Sequence, residues 1–375
     1  MKIGITCYPT YGGSGAVATA LGLELARRGH EVHFITYAMP FRLRGYAERV
    51  YFHEVETRMA HYPLFEHFPY TLALASKQHE VALREGLDLL HVHYAIPHAT
   101  TAWLAREMLA AERPLKVITT LHGTDITLVG QEASFHAITR FSIERSDAVT
   151  AVSRYLADET RRAFNLPGLD IPVIPNFVDL EEYRPRGEGE PCTGVAPAGH
   201  KVLLHISNFR EVKRMQDVVR VFARVRRAMP ATLLMVGDGP DREAAEQEAR
   251  RLVVADDVRF LGRLDNVAPL LQASDLFLLP SQTESFGLAA LEAMACGVPV
   301  VASRAGGLPE VIEDGVTGIL EPPGSVEAMG RRAVDLLRDP GRHRALADAA
   351  LASARQFRSE AVVPSYEALY HQVLG

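Results

Sequence analysis

The chain has 375 residues, 47% of them hydrophobic and 23% charged, which is an ordinary globular mix and enough length for two domains with cores of their own. A formal charge of −6 argues against a nucleic-acid partner, because neutralising phosphates takes a basic surface, and no apolar run reaches the roughly 18 residues of a membrane helix. Cys7, Cys192 and Cys296 form neither a paired framework nor a metal-binding spacing, and the apolar run at the N-terminus is too short for a signal-peptide core. Reduced thiols in a cytoplasmic protein are therefore expected.

KIGITC (residues 2–7) reads as a strand, PTYGGSG as a glycine loop, AVATALGLELARRGH as a helix with apolar spacing near 3.6, and EVHFIT as a second strand. The unit recurs. LDLLHVH leads to a helix over about 97–112, LKVITTLHG to one over about 133–145, and DAVTAVS to SRYLADETRRAF. Continuous apolar strands alternating with helices predict a parallel sheet covered on both faces. The pattern breaks at NLPGLDIPVIPNFVDLEEYRPRGEGEPCTGVAPAGH, and this stretch is the expected domain boundary. The alternation restarts at KVLLHIS and continues through MQDVVRVFARVRRAM, ATLLMVGDG, VRFLGR, DLFLLPS, PVVAS and VTGILEP, with a helical tail from about 325. An α/β chain of two Rossmann-like halves, 1–168 and 169–359, follows. The last helix, about 360–375, either closes the second half or packs back on the first.

In open parallel sheets ligands sit beyond the carboxyl ends of the strands, so the loops there carry the candidate chemistry. Gly12, Gly13 and Gly15 bring free amides to a helix N-terminus, where phosphate or carboxylate is favoured. The same stretch fits a dinucleotide fingerprint, but EVHFITYAMP carries no acidic residue at its end to hold a ribose, which argues against NAD. Of the histidines in HVHYAIPHA and TTLHGTD, His91 reads as structural, while His122 follows a buried strand and is placed to donate to a sugar hydroxyl. Arg210, Lys213 and Arg214 crowd the loop after KVLLHIS; as an alternative to a solvated face, they offset charge on a departing diphosphate.

The stretch TESFGLAALEAMACGVPVVAS carries two glutamates around a glycine turn. Ser285 is expected to cap a helix starting near Phe286, so that the amides of Phe286, Gly287 and Leu288 point at an anion. Glu292, further along, leans back to grip ribose hydroxyls, and Glu284 faces the far side, where a sugar on the diphosphate would lie. Spacing alone leaves open two glutamates with no shared role.

With these loops assembled, the chain resembles the retaining, nucleotide-sugar-dependent glycosyltransferases of the GT-B fold, whose two Rossmann-like domains face a central cleft. Glu284 and Glu292 stand as that family's E-x7-E pair, followed by EAMACGVPVVAS and AGGLPEVI. GITCYPTYGGSG, HFITYAMPFRL, YFHEV, LHVHYAIPHA, TTLHGTDIT and ISNFREVKRMQDVV resemble the members that take L-malate as acceptor at the first step of bacillithiol biosynthesis. The resemblance implies transfer of GlcNAc from UDP-GlcNAc to the L-malate hydroxyl, with no cofactor and no metal; a homodimer is compatible with it. It further implies that Glu284 and His122 line the donor sugar and that Glu292 binds the ribose. Amides near Gly13 and at Phe286, Gly287 and Leu288 hold the phosphates, and uracil lies near Arg263. Many relatives carry a glycine-arginine pair followed five residues later by a lysine; here Asn208 stands in place of that arginine, Lys213 aligns with the lysine, and Arg210 is displaced by two positions. Ser14, Tyr94, Thr120, Asn208 and Arg210 are the candidate acceptor contacts.

Overall fold

The computed structural model describes residues 1–43, 45–57, 68–187 and 194–375, so Cys192 lies outside the described residues. Two units divide the chain: Met1–Pro175 with Glu360–Gly375, and Asn176–Ser359.

The first unit holds β1 (Lys2–Thr6), β2 (Glu31–Thr36), β3 (Val50–Glu54), β4 (Leu89–His93), β5 (Lys116–Leu121) and β6 (Ala148–Ala151). Its helices are α1 (Gly13–Arg27), α2 (Tyr70–Glu85), α3 (Thr100–Leu109), α4 (Thr124–Thr127), α5 (Ala133–Glu144) and α6 (Arg154–Ala163). The sheet order is β3-β2-β1-β4-β5-β6, all pairs parallel. The buried runs of β1, β4 and β5 follow from helices covering both faces. Sequence periodicity gave no expectation for β3 or α2. The edge strand β3 (VYFHE) has only half-buried and exposed positions, and α2 buries the narrow face Leu74, Ala75, Gln78, Val81 and Ala82 among polar residues.

The second unit holds β7 (Lys201–Ile206), β8 (Ala231–Val236), β9 (Val258–Gly262), β10 (Leu276–Leu279), β11 (Val300–Ser303) and β12 (Ile319–Glu321). Its helices are α7 (Met215–Ala228), α8 (Arg242–Arg251), α9 (Ala268–Gln272), α10 (Leu288–Ala295), α11 (Leu308–Val311), α12 (Val326–Arg338) and α13 (Pro340–Ala354). The order β12-β11-β10-β7-β8-β9 repeats that of the first sheet when strands are counted from β7. Each sheet therefore reverses direction once, between β1 and β4 and between β7 and β10, and doubly wound folds open their ligand crevice at such a reversal.

The last helix, α14 (Ser359–Leu374), completes the first unit. Tyr366 and Tyr370 are fully buried, His91 Nδ1 lies 2.7 Å from the Tyr370 hydroxyl, and Glu367 accepts from Arg28 and His30. His91 is thus structural. Cys7 and Cys296 are buried free thiols, each pushed up to about 12 by burial. Among the described residues no helix is long and apolar enough to cross a membrane.

Candidate active site

In the second unit the reversal between β7 and β10 gathers charge. A short 3-10 turn, Glu211–Lys213, presents Lys213, whose Nζ donates to Glu284 Oε1 at 2.6 Å. Ser281 Oγ donates to the same oxygen at 2.8 Å. Gln282 N–H donates to the Val212 carbonyl at 2.7 Å and so ties the two loops together. Arg214 reinforces the tie, donating from Nη1 to Gln282 Oε1 at 3.0 Å and from Nε to Asp217 at 2.6 Å. Glu284 is itself buried, and its carbonyl accepts from Gly307 N–H at 2.8 Å. A Cβ on Gly306, whose φ is 56°, would stand 1.9 Å from that carbonyl. The AGG turn after β11 is therefore the platform on which Glu284 rests, and only glycine fits it.

The helix after Glu284 begins later than expected. Its first residue is Leu288, and its N-cap is Gly287 with φ 97° and ψ 49°, which has no side chain to cap with. Ser285 does not serve as the cap, because the left-handed turn at Gly287 carries the chain away before the helix starts. A Cβ at Gly287 would meet Leu308 at 2.5 Å, so the turn is tight as well as left-handed. Phe286 is buried against Phe357, with ring centroids 5.7 Å apart. The first amides of α10 have no intrahelical acceptor. Glu292 is buried in the second turn of α10 and leans toward that end. Asn208 is half-buried, and its Oδ1 has no partner among the described residues. Arg210, two positions on, is exposed, and so is Arg263, just beyond the edge strand β9.

The first unit gathers neutral groups at its own reversal. Gly13 opens α1, and Ser14 beside it stands near the Tyr94 hydroxyl, as does Thr124. Tyr94 follows β4 with a left-handed φ of 91°, a conformation that costs on the order of 1–3 kcal/mol and collects at functional sites. Asp125 pins this corner by accepting from Ala95 N–H at 2.9 Å and Gly123 N–H at 3.0 Å, and burial pushes its carboxyl up to about 6. His122, at the end of β5, has Nε2 at 2.8 Å from His93 Nδ1. Burial lowers His122 to about 3 and His98 to about 4, so both are neutral at pH 7. Thr120 is placed differently from expectation. It is fully buried, and its hydroxyl is taken up by His91 and Thr150, so it is removed from the acceptor candidates.

Sequence reasoning thus singled out Lys213, Glu284 and Glu292, and Ser14 with Tyr94, without knowing which touch. It missed Ser281, Thr124, Asp125, His93 and the use of Gly306. The glycine pair two residues after strand PVVAS was the available signal for the last.

Residues 11–182 match the family model "Glycosyltransferase Family 4", and residues 194–352 match "Glycosyl transferases group 1". The chain is 51% identical to N-acetyl-alpha-D-glucosaminyl L-malate synthase of Bacillus anthracis over 377 aligned residues, covering 100% of this chain and 97% of that one. It is 33% identical to a D-inositol 3-phosphate glycosyltransferase of Actinosynnema mirum over 310 residues, 76% of this chain and 72% of the other. Among solved structures, sucrose-phosphate synthase from Thermosynechococcus elongatus superposes with a TM-score of 0.82 at 21% identity, covering 100% and 99% of the two chains. Anabaena HepE in complex with UDP and glucose gives 0.77 at 21%, covering 99% of each. These two establish the fold, and the full-length relative establishes the lineage: the chain belongs to the GT-B glycosyltransferases, in the family of the Bacillus anthracis enzyme.

Proposed function

We propose that this glycosyltransferase moves N-acetylglucosamine from UDP-GlcNAc to the hydroxyl of L-malate, releasing UDP and retaining the α configuration, as the first step of bacillithiol biosynthesis in the cytoplasm. The observation that carries this reading is the 51% identity along the whole chain to a relative of that name. The inositol phosphate relatives, with a different acceptor, are more distant.

In this reading Glu292 holds the ribose, and the amides of Phe286, Gly287 and Leu288, with those near Gly13, hold the diphosphate. Uracil lies near Arg263. Glu284, its carboxylate set by Lys213 and Ser281, contacts the donor sugar, as does His122. Ser14, Tyr94, Asn208 and Arg210 hold the acceptor. The malate hydroxyl oxygen bonds to the anomeric carbon as the bond from that carbon to the β-phosphate oxygen breaks, and the hydroxyl proton passes to the leaving phosphate. Neither motif glutamate is assigned behind the anomeric carbon, which favours this front-face course over a glycosyl-enzyme intermediate. Lys213, Arg210 and the positive end of α10 offset the charge of the departing diphosphate, a role that a metal fills elsewhere, so no metal is invoked.

The test is mass spectrometry of the purified protein with UDP-GlcNAc and excess chelator, with and without L-malate. A malate-dependent product heavier by one N-acetylhexosamine is expected. UDP release without that product, or a product only with an inositol phosphate, overturns the acceptor; activity restored only by added divalent cation overturns the metal-free course.

A further inference from the structure

The floor of the first unit's site holds four buried or half-buried imidazoles, and their bonding fixes which nitrogens carry protons. His98 Nδ1 lies 2.6 Å from the His93 backbone carbonyl. A carbonyl only accepts, so His98 carries its proton on Nδ1 and leaves Nε2 bare. His93 Nδ1 and His122 Nε2 are 2.8 Å apart, with the two rings inclined by 25° and centroids 5.1 Å apart. That is the placement of two rings joined nitrogen to nitrogen, nearly in line and in plane. One of the two nitrogens must donate. His93 Nε2 is buried and has no partner among the described residues. If His93 accepted from His122, its own proton would sit on Nε2 as a buried N–H with nothing to bond. If it donates, Nε2 is only a bare acceptor. Orphaned buried N–H groups are the rarer defect in folded proteins.

From this geometry we infer that His93 is a positioning residue, which donates from Nδ1 to His122 Nε2 and holds His122 in the Nδ1–H tautomer. His122 then turns a hydrogen-bond donor, rather than a bare nitrogen, toward whatever occupies the site. The inference rests on the reading that His122 faces the donor sugar, whose hydroxyls accept such a bond. The surroundings of His93 suit it to this part, since it ends β4, its ring lies against His91 at 4.7 Å between centroids, and its carbonyl is gripped by His98. His91 is fixed in turn by Tyr370 and Thr120, so the row of rings has little freedom to rotate. Burial keeps His93 and His122 neutral at pH 7, as a tautomeric assignment requires.

The decisive measurement is the ring 15N spectrum of histidine-labelled protein at neutral pH, with the His122 signals identified by their loss in His122→Gln. The expected wild-type pattern is protonated Nδ1 and bare Nε2 at His122; the opposite pattern overturns the inference. His93→Asn and His93→Asp give a second reading from side chains of equal size. The asparagine amide places a donor where Nδ1 was and should keep both the tautomer and turnover to within about threefold. The aspartate only accepts; it should flip His122 to Nε2–H and lower turnover by roughly 100-fold, the scale of a misdirected catalytic contact. Equal losses in the two variants would mean that His93 merely fills space. If the tautomer is as stated but His122→Gln leaves turnover intact, the positioning holds and the sugar-facing role of His122 falls.

Discussion

At the strand reversal of the first unit the loops assemble Ser14, Tyr94, His93 and His122, all neutral at pH 7, over a buried floor. At the same place in the second unit, reached by the same strand order, they assemble Lys213, Glu284 and Glu292 beside a helix N-terminus. The fold is shared, and the chemistry lies in which side chains the loops carry. Neutral donors and acceptors suit hydroxyl groups, whose recognition needs direction more than charge. Fixed ion pairs and free amides suit a diphosphate, whose charge increases as the sugar leaves.

The contrast breaks most sharply at Glu284. Glu284→Gln keeps the shape but removes the charge held by Lys213, and turnover should fall on the order of 10²- to 10³-fold while UDP affinity barely changes. Steady-state rates together with a UDP titration check this; a UDP affinity that falls instead would place Glu284 on the nucleotide. Glu292→Ala should do the converse, weakening UDP by roughly 10- to 100-fold, the scale of one or two hydrogen bonds to a charged group, as calorimetric titration would read. Gly306→Ala sharpens the comparison from beneath. It forces a methyl group onto the Glu284 carbonyl at a left-handed position, and a loss of about 2 kcal/mol or more in urea unfolding is expected, with turnover falling in parallel. An alanine variant as stable and active as the parent would show that the AGG turn is not the platform.

Acidity separates the units with the gentlest change. Five histidines of the first unit, His53, His91, His93, His98 and His122, are held below their ordinary value of 6.5 by burial, against His205 alone in the second among the described residues. Below pH 6.5 the unfolded chain takes up protons that the folded unit refuses, so stability is present above that pH and is lost as pH falls toward about 4. Asp125, raised to about 6, works the other way and returns part of the loss as it protonates. Hydrogen exchange at pH 7 and pH 5 should show the first unit opening more at the lower pH; equal change in both units would count against the buried imidazoles as the cause.

Much of this architecture was legible in sequence, because a strand buried on both faces leaves an uninterrupted apolar run. β1, β4, β5, β7, β8 and β10 all announce themselves so. The edge strand β3 and the mostly polar α2 do not, since little of either is buried. Glu284 and Glu292 stood out by their spacing around a glycine turn, but the partnership of Glu284 with Lys213, 71 positions away, is a product of sheet order and leaves no local mark. Ser285 looked like a cap because serine before an apolar run usually is one; the backbone of Gly287 overrides it. Thr120 was misplaced for the opposite reason. Its hydroxyl looks available on paper, and only its partners on the neighbouring strands, His91 and Thr150, show it to be shut in.

The last helix, α14, has a bearing on how the protein is made. His91 and Tyr370 are 279 positions apart, so during synthesis the first unit emerges from the ribosome complete except for one helix and must wait for the whole second unit to pass before receiving it. The second unit, continuous from Asn176 to Ser359, has no such wait. The usual order, in which the N-terminal domain finishes folding first, is inverted here. A chain stalled or clipped within its last sixteen residues would carry an intact charged site together with a first unit whose tyrosine-sealed core is open to water.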